Sequence, residues 1–173
     1  MSPSDTWRTP ILYTPIGVIH SDHIQPEETP IQPRYASGCP GHIRLLPEYA
    51  EGLRDVEGFT HLILIYAFHQ AGEPTLIVQP FTDDHPRGIF ATRHPRRPNP
   101  LGVSTVRLIR IEGTILYLED VDILDGTPLL DIKPYVPRFE QIENARGGWT
   151  EAVTEAVAYE RGRRGYRENK VSR

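Results

Sequence analysis

The chain has 173 residues, 38% of them hydrophobic, with 17 prolines and 14 glycines, which fits one domain, or one domain with a tail, rich in turns and strands. A single cysteine, Cys39, excludes an intrachain disulfide framework and a cysteine-rich zinc site, and no apolar run approaches membrane-spanning length. The net charge of −4 argues against a generic nucleic-acid binder but leaves room for a local basic face, since residues 146–173 carry six Arg and one Lys against four Glu. The N-terminus has no apolar signal core, so a soluble cytoplasmic protein in a reducing compartment is expected.

Residues 13–21 alternate as a strand, with Ile16 and Val18 on one face and Gly17 and Ile19 on the other. Residues 22–39 are polar and carry Pro26, Pro30 and Pro33, which predicts a loop; loops this long inside a compact domain tend to be functional or disordered. Residues 41–46 form a second strand, and residues 47–57 a short helix with Pro47 in its first turn. Tyr49, Leu53 and Val56 share one face of that helix. Residues 60–70 are the most apolar run and predict a buried strand ending in the polar pair His69-Gln70. Residues 74–80 read as a further strand. Asp83, Asp84 and His85 are metal-ligating types, but three adjacent side chains diverge in an extended segment, and no metal is expected.

Residues 87–102 are the most informative stretch. A strand-like core over 88–92 gives way to a turn holding Pro95, Pro98 and Pro100 around Asn99, closed by Gly102. Arg87, Arg93, Arg96, Arg97 and His94 lie on or beside it with no acidic residue among them. A stiff backbone aiming guanidinium groups at one place suits an anion; composition equally allows a crossover loop with solvated arginines. Strands over 103–111 and 114–121 follow, joined at Glu112-Gly113, a hairpin signal. The turn 122–128 contains Asp125-Gly126, and the apolar segment 129–135 places Asp131 and Lys133 on one face, where they can pair. Residues 150–160 predict a helix capped by Thr150, with Val153, Val157 and Tyr159 on a narrow apolar face. From Arg161 onward the chain is a basic, glycine-broken tail, expected to be mobile until something binds. No phosphate-binding loop, dinucleotide fingerprint or nucleophilic triad is present.

Two blocks carry a resemblance: Phe90-Ala-Thr-Arg-His-Pro-Arg-Arg-Pro-Asn-Pro-Leu-Gly102 and Asp125-Gly-Thr-Pro-Leu-Leu-Asp-Ile-Lys-Pro-Tyr135. Together they resemble the TrmO (YaeB or TsaA-like) family of S-adenosylmethionine-dependent tRNA methyltransferases. The resemblance implies a mainly β fold: one β-barrel domain over residues 13–140, with a C-terminal helix and basic tail over 141–173. It implies that the cofactor S-adenosylmethionine is held by Pro30, Ile31, Gln32, His69, Gln70, Arg93, Leu124, Asp125, Gly126 and Thr127. The implied substrate is N6-threonylcarbamoyladenosine beside the tRNA anticodon, at position 37. Arg87, Arg96, Arg97 and Asn99 would bind it, and Asp125 or His94 would accept the departing proton. The tail from Arg161 would track phosphate, and a homodimer is expected. A non-catalytic S-adenosylmethionine or nucleotide-binding module, and a methyltransferase for a small metabolite, are the alternatives.

Overall fold

The structure, a computed structural model, describes residues 9–164. Its strands are β1 (Gly17–Ser21), β2 (Gly41–Leu45), β3 (His61–Ala67), β4 (Ile77–Val78), β5 (Arg87–Gly88), β6 (Leu101–Glu112), β7 (Ile115–Glu119) and β8 (Thr127–Pro134). Six of them close an antiparallel barrel in the order β1-β2-β7-β6-β3-β8, with β8 pairing back onto β1. Closure leaves no strand edge among the six, so every strand has hydrogen-bonded neighbours on both sides. The mainly β, single-barrel expectation holds.

Alternation places the core. Along β3, Leu62, Leu64 and Tyr66 point inward while Ile63 and Ile65 stay half-buried on the outer wall. Ile19, Ile43, Val106, Leu116 and Leu129 meet them inside, all fully buried. Burying such a side chain contributes about 1.5–3 kcal/mol. Within β1 the predicted alternation holds, with Ile19 inside and Val18 outside, but the strand begins at Gly17 and Ile16, just before it, packs on the core instead of sharing the outer face of Val18. The Tyr66 ring crosses the start of β6 so closely that a Cβ on Gly102 would lie 2.1 Å from it; glycine at that position makes room for the ring. Asp131 and Lys133 pair at 2.6 Å on β8.

Several local expectations change. The predicted helix over 47–57 is two 3-10 turns, Pro47–Leu53 and Val56–Gly58, separated by Asp55 at φ 67°. A run this short with Gly52 inside it lacks the length and propensity to propagate an α-helix. Leu53 and Val56 still pack on the core, but Tyr49 is exposed. The strand expected over 74–80 shrinks to Ile77–Val78, paired with Arg87–Gly88 in a small ribbon outside the barrel. Residues 88–92 are not strand beyond Gly88: Ile89–Ala91 form a 3-10 turn with Ile89 buried. The β6–β7 hairpin turns at Gly113-Thr114, one residue later than read, with Gly113 at φ 60°.

The C-terminal segment also differs. Thr150 does not cap a helix; its hydroxyl donates to the Gly147 carbonyl within a 3-10 turn, Gly148–Ala152. After α1 (Pro137–Glu140), the longer helix α2 (Glu155–Gly162) is capped by Thr154, which accepts from the Val157 N–H. Val157 and Tyr159 are exposed, with the Tyr159 ring meeting Tyr35 edge-on at 6.3 Å, so the apolar face as a whole does not dock it. Its end does: Gly162 packs on the Tyr35 ring, and its carbonyl accepts from the Ile31 N–H at 2.9 Å.

Candidate functional site

The β-register fixes which connections share one end of the barrel. Ser21 at the end of β1 pairs with Gly41 at the start of β2, Ala67 with Leu101, and Ile19 with Thr127. The loop 22–40, the long connection 68–100 and the β7–β8 turn therefore gather at one pole, and loops on a closed scaffold are where binding groups are positioned.

Two polar pairs form there across long sequence separations. Arg93 donates to the Gln32 side-chain carbonyl at 2.6 Å, while the Gln32 amide donates to the Ile31 carbonyl. Thr127 lies 3.4 Å from His69 Nδ1 and donates to the Leu124 carbonyl at 2.6 Å. Gln70 contacts the His69 ring at 3.3 Å. Pro30 is fully buried, and Gly126 turns the chain at φ 76°, a conformation that favours glycine. Asp125 departs from this group. Its side chain is 42% exposed and faces the outer wall, where Oδ1 accepts from His20 Nδ1 at 3.0 Å and from the Ser21 N–H at 3.2 Å. Partial burial alone would raise its carboxyl; the His20 and Ser21 hydrogen bonds outweigh that and hold it below the ordinary carboxylate value. A carboxylate held low is a weak proton acceptor.

The central stretch is braced rather than open. Arg97 donates to the carbonyls of Ile89 and Thr92, Arg96 to that of Glu73, and Arg87 pairs with Asp83 at 2.6 Å while lying over the Trp149 ring. The Trp149 indole donates to the Ala91 carbonyl. Asn99 is exposed at the tip. His94 stacks on Phe81 at 5.8 Å; burial, and then Arg96, Arg164 and Arg97, lower its pKa. Its Nδ1 accepts from the Arg96 N–H, which puts the ring proton on Nε2 and leaves no free acceptor nitrogen on the neutral ring. Asp83 is tied to His85 and Arg87, and among the described residues no group of three or more His, Cys, Asp or Glu could hold a metal ion.

The first residues of the tail make defined contacts. Arg161 pairs with Asp84 at 2.8 Å, and Arg164 donates to the Pro26 carbonyl and covers the Phe81 ring at 3.9 Å. These contacts join the tail to the loops of the pole, so Arg161 and Arg164 are structural ties before any ligand arrives. Residues 165–173 lie outside the described residues.

Sequence reasoning missed the floor of the pole. Tyr66 and Ser104 bond at 3.0 Å, and the Ser104 hydroxyl bonds the carboxyl of Asp122, 7% exposed. Asp122 Oδ1 is buried with no hydrogen-bond partner. Burial raises this carboxyl to about 7, against smaller lowering effects of Ser104, its own N–H and Arg93. Burial likewise pushes the Tyr66 phenol up, so Tyr66 stays protonated. His23 supports the turn from beneath: its Nε2 bonds the Val121 carbonyl at 2.8 Å, and burial lowers its pKa so that the ring is neutral. The one sequence signal was an acid inside an apolar run, Val121-Asp122-Ile123.

A second polar feature lies on the outer wall. His20, His42, Tyr117 and Arg110 are cross-strand neighbours on β1, β2, β7 and β6. The histidine rings stack at 4.9 Å, and Arg110 covers Tyr117 at 3.6 Å. A groove of about 490 Å³ opens there, lined by His20, His42, Arg44, Tyr117 and Asp125 among others.

The sequence pattern of the tRNA-methyltransferase O N-terminal domain matches residues 18–141. A probable S-adenosyl-L-methionine-binding protein of Pyrococcus abyssi is 54% identical over 82% of this chain and 77% of its own length. The tRNA (adenine(37)-N6)-methyltransferase of Escherichia coli is 35% identical over 82% of this chain. The crystal structure of TrmO from Pseudomonas aeruginosa superposes with a TM-score of 0.72 at 38% identity, over 85% of this chain. The chain spans 64% of the E. coli enzyme and 66% of the P. aeruginosa structure. With more than half of its residues inside the family pattern, the chain belongs to the tRNA-methyltransferase O family.

Proposed function

We propose that this protein is an S-adenosylmethionine-dependent methyltransferase acting on the adenine at position 37 of tRNA, with N6-threonylcarbamoyladenosine as the acceptor. The observation that carries the reading is the convergence of the Arg93–Gln32 and His69–Thr127 pairs on one barrel pole, in a chain with relatives named S-adenosyl-L-methionine-binding protein and tRNA (adenine(37)-N6)-methyltransferase. The donor set fits the cofactor. Arg93 is a cation for its carboxylate, and Gln32 offers both donors and an acceptor. The Leu124–Thr127 turn supplies backbone groups and a hydroxyl for ribose or adenine. The orphaned Asp122 Oδ1 marks a buried place where a polar or cationic group is wanted.

The cofactor, when bound, supplies an electrophilic methyl group whose sulfonium sulfur keeps the bond pair on leaving. Little acid–base equipment is then required of the protein, and positioning supplies most of the rate. Arg93 and Gln32, already joined at 2.6 Å, hold one end of the site in place. The braces from Arg97 and Trp149 keep the central stretch from shifting as the acceptor enters. A base in a single-stranded loop can be splayed into such a pole. Arg96, exposed on the rim and tied only through its Nε to the Glu73 carbonyl, keeps its terminal nitrogens for the threonyl carboxylate, whereas the terminal nitrogens of Arg97 and Arg87 are engaged in internal contacts. The homodimer and the cytoplasmic location rest on the family resemblance and composition; no helix among the described residues is long and apolar enough to cross a membrane.

The test is transfer of labelled methyl from S-adenosylmethionine to tRNA with and without the threonylcarbamoyl group, read by mass spectrometry of the nucleosides. Label on the modified adenosine alone, reduced at least tenfold in Arg93→Ala, is expected. Label on unmodified adenine would reassign the acceptor. No label in either tRNA, with cofactor binding intact, would leave a binding module or a methyltransferase for a small metabolite, the first being the reading that the name of the Pyrococcus relative favours.

A further inference from the structure

The floor of the pole carries a charge that none of the expected contacts uses. Asp122 is 93% buried, yet one of its carboxylate oxygens lacks a hydrogen-bond partner. An uncompensated buried acceptor of this kind is costly and is normally paired. Its surroundings on the protein side are accounted for. Ser104 on β6 bonds the carboxyl, Tyr66 on β3 bonds Ser104, and among the described residues Arg93 of the central stretch is the cation acting on it. Arg93 is itself held by Gln32 and is exposed, so it does not fill the gap at Oδ1.

Resting on the reading that this pole binds S-adenosylmethionine, we propose that Asp122 is a further cofactor-binding residue, whose buried carboxylate receives a cationic centre of the cofactor. The cofactor has two such centres, a sulfonium and an ammonium, and both match an anion set in an apolar floor. Opposite charges then divide the pole, with Arg93 at the rim for the carboxylate and Asp122 below for the cation. If the sulfonium is the partner, the site distinguishes donor from product, because transfer of the methyl turns the sulfonium into a neutral thioether and removes the attraction.

The carboxyl of Asp122 sits near 7 in the free protein, so it is largely protonated at pH 5.5 and ionised at pH 8. A cation favours the ionised form. Binding therefore releases a proton at low pH, and affinity rises as pH increases through neutrality. The full linkage from pH 8 down to pH 5.5 is a loss of about thirtyfold in affinity. Tyr66 stays neutral across this range, because burial pushes its phenol up.

The experiment is calorimetric titration of the full chain and of Asp122→Asn with three ligands at pH 5.5, 7 and 8. S-Adenosylmethionine carries both cations, S-adenosylhomocysteine only the ammonium, and methylthioadenosine neither. The quantity read is the wild-type to variant affinity ratio at each pH, which cancels titration of the ligands and of His94. A ratio that rises with pH for S-adenosylmethionine alone assigns the sulfonium, and one that rises for the first two ligands assigns the ammonium. A ratio flat with pH for every ligand, or equal rises for all three, overturns the proposal. Ser104→Ala is the second variant: loss of its hydrogen bond moves the midpoint of the wild-type profile to higher pH, and an unmoved midpoint also counts against Asp122. Because binding alone is measured, a chain that binds with this pH dependence but transfers no methyl loses the enzymatic reading and keeps this one. A chain that binds none of the three ligands loses both.

Discussion

Asp122 and Asp125 stand three residues apart on one turn and live in opposite environments. Asp122 points into the barrel pole, where burial raises its carboxyl to about 7 and one oxygen has no partner. Asp125 lies on the outer wall, 42% exposed, where His20 and the Ser21 N–H stabilise its charge. The same functional group is a poised acid in one place and a permanent anion in the other. The pole thus separates two tasks: the outer carboxylate fastens the turn to β1, and the inner one is left free to respond to what binds.

The comparison can be broken most severely from the core that makes the inside apolar. Leu64→Ala is expected to lower stability by about 2–5 kcal/mol at every pH, measured by urea denaturation, since it empties a fully buried position. A loss below 1 kcal/mol would mean that the barrel interior is loosely packed. Asp122→Asn should act in the opposite direction and only at high pH. The folded pKa lies above the unfolded value of about 4, so the folded state holds the proton longer and wild-type stability falls as pH rises from about 4 through 7. A shift of that size corresponds to about 4 kcal/mol at most, and because the amide stays buried the expected gain at pH 8 is about 2 kcal/mol, vanishing near pH 4. Thermal melts of both proteins at the two pH values check this, and an equal gain at both would exclude titration as the cause.

Smaller effects sharpen the contrast. Thr154→Ala removes the cap of α2 and should reduce stability by about 1 kcal/mol, with faster amide exchange confined to α2 and the Ile31 N–H that bonds Gly162. Asp125→Asn should have the least effect, a few tenths of a kcal/mol at pH 7, because its pair is largely solvated. Its sign is opposite to that of Asp122. A depressed folded pKa gives stability that is present above the unfolded value and lost as pH falls, so the variant should match the wild type near pH 2.

How much of this was legible depended on the range of the interaction involved. The barrel strands were readable because their alternation is local, and β3 with Leu62, Leu64 and Tyr66 inward follows directly from a period of two. The hairpin at Gly113 and the Asp131–Lys133 pair were likewise short-range. The helix expected over 150–160 failed by one turn because two threonines competed to cap it, and only the contacts of Thr150 with Gly147 settled which one did.

The site divided in the same way. By itself the sequence determined the residue types, the stiff proline turn around Asn99 and the two blocks that place the chain in its family, because these are properties of short contiguous segments. Tertiary structure decided which cations were spent internally, as with Arg87 and Arg97, and which of two nearby acids faced inward. It also decided that Arg161 and Arg164 dock onto the pole. The physical reason is that burial and charge compensation belong to what surrounds a group in space. Burial sets the state of Asp122, tempered by Ser104 and Arg93, neither of which lies within ten residues of it along the chain.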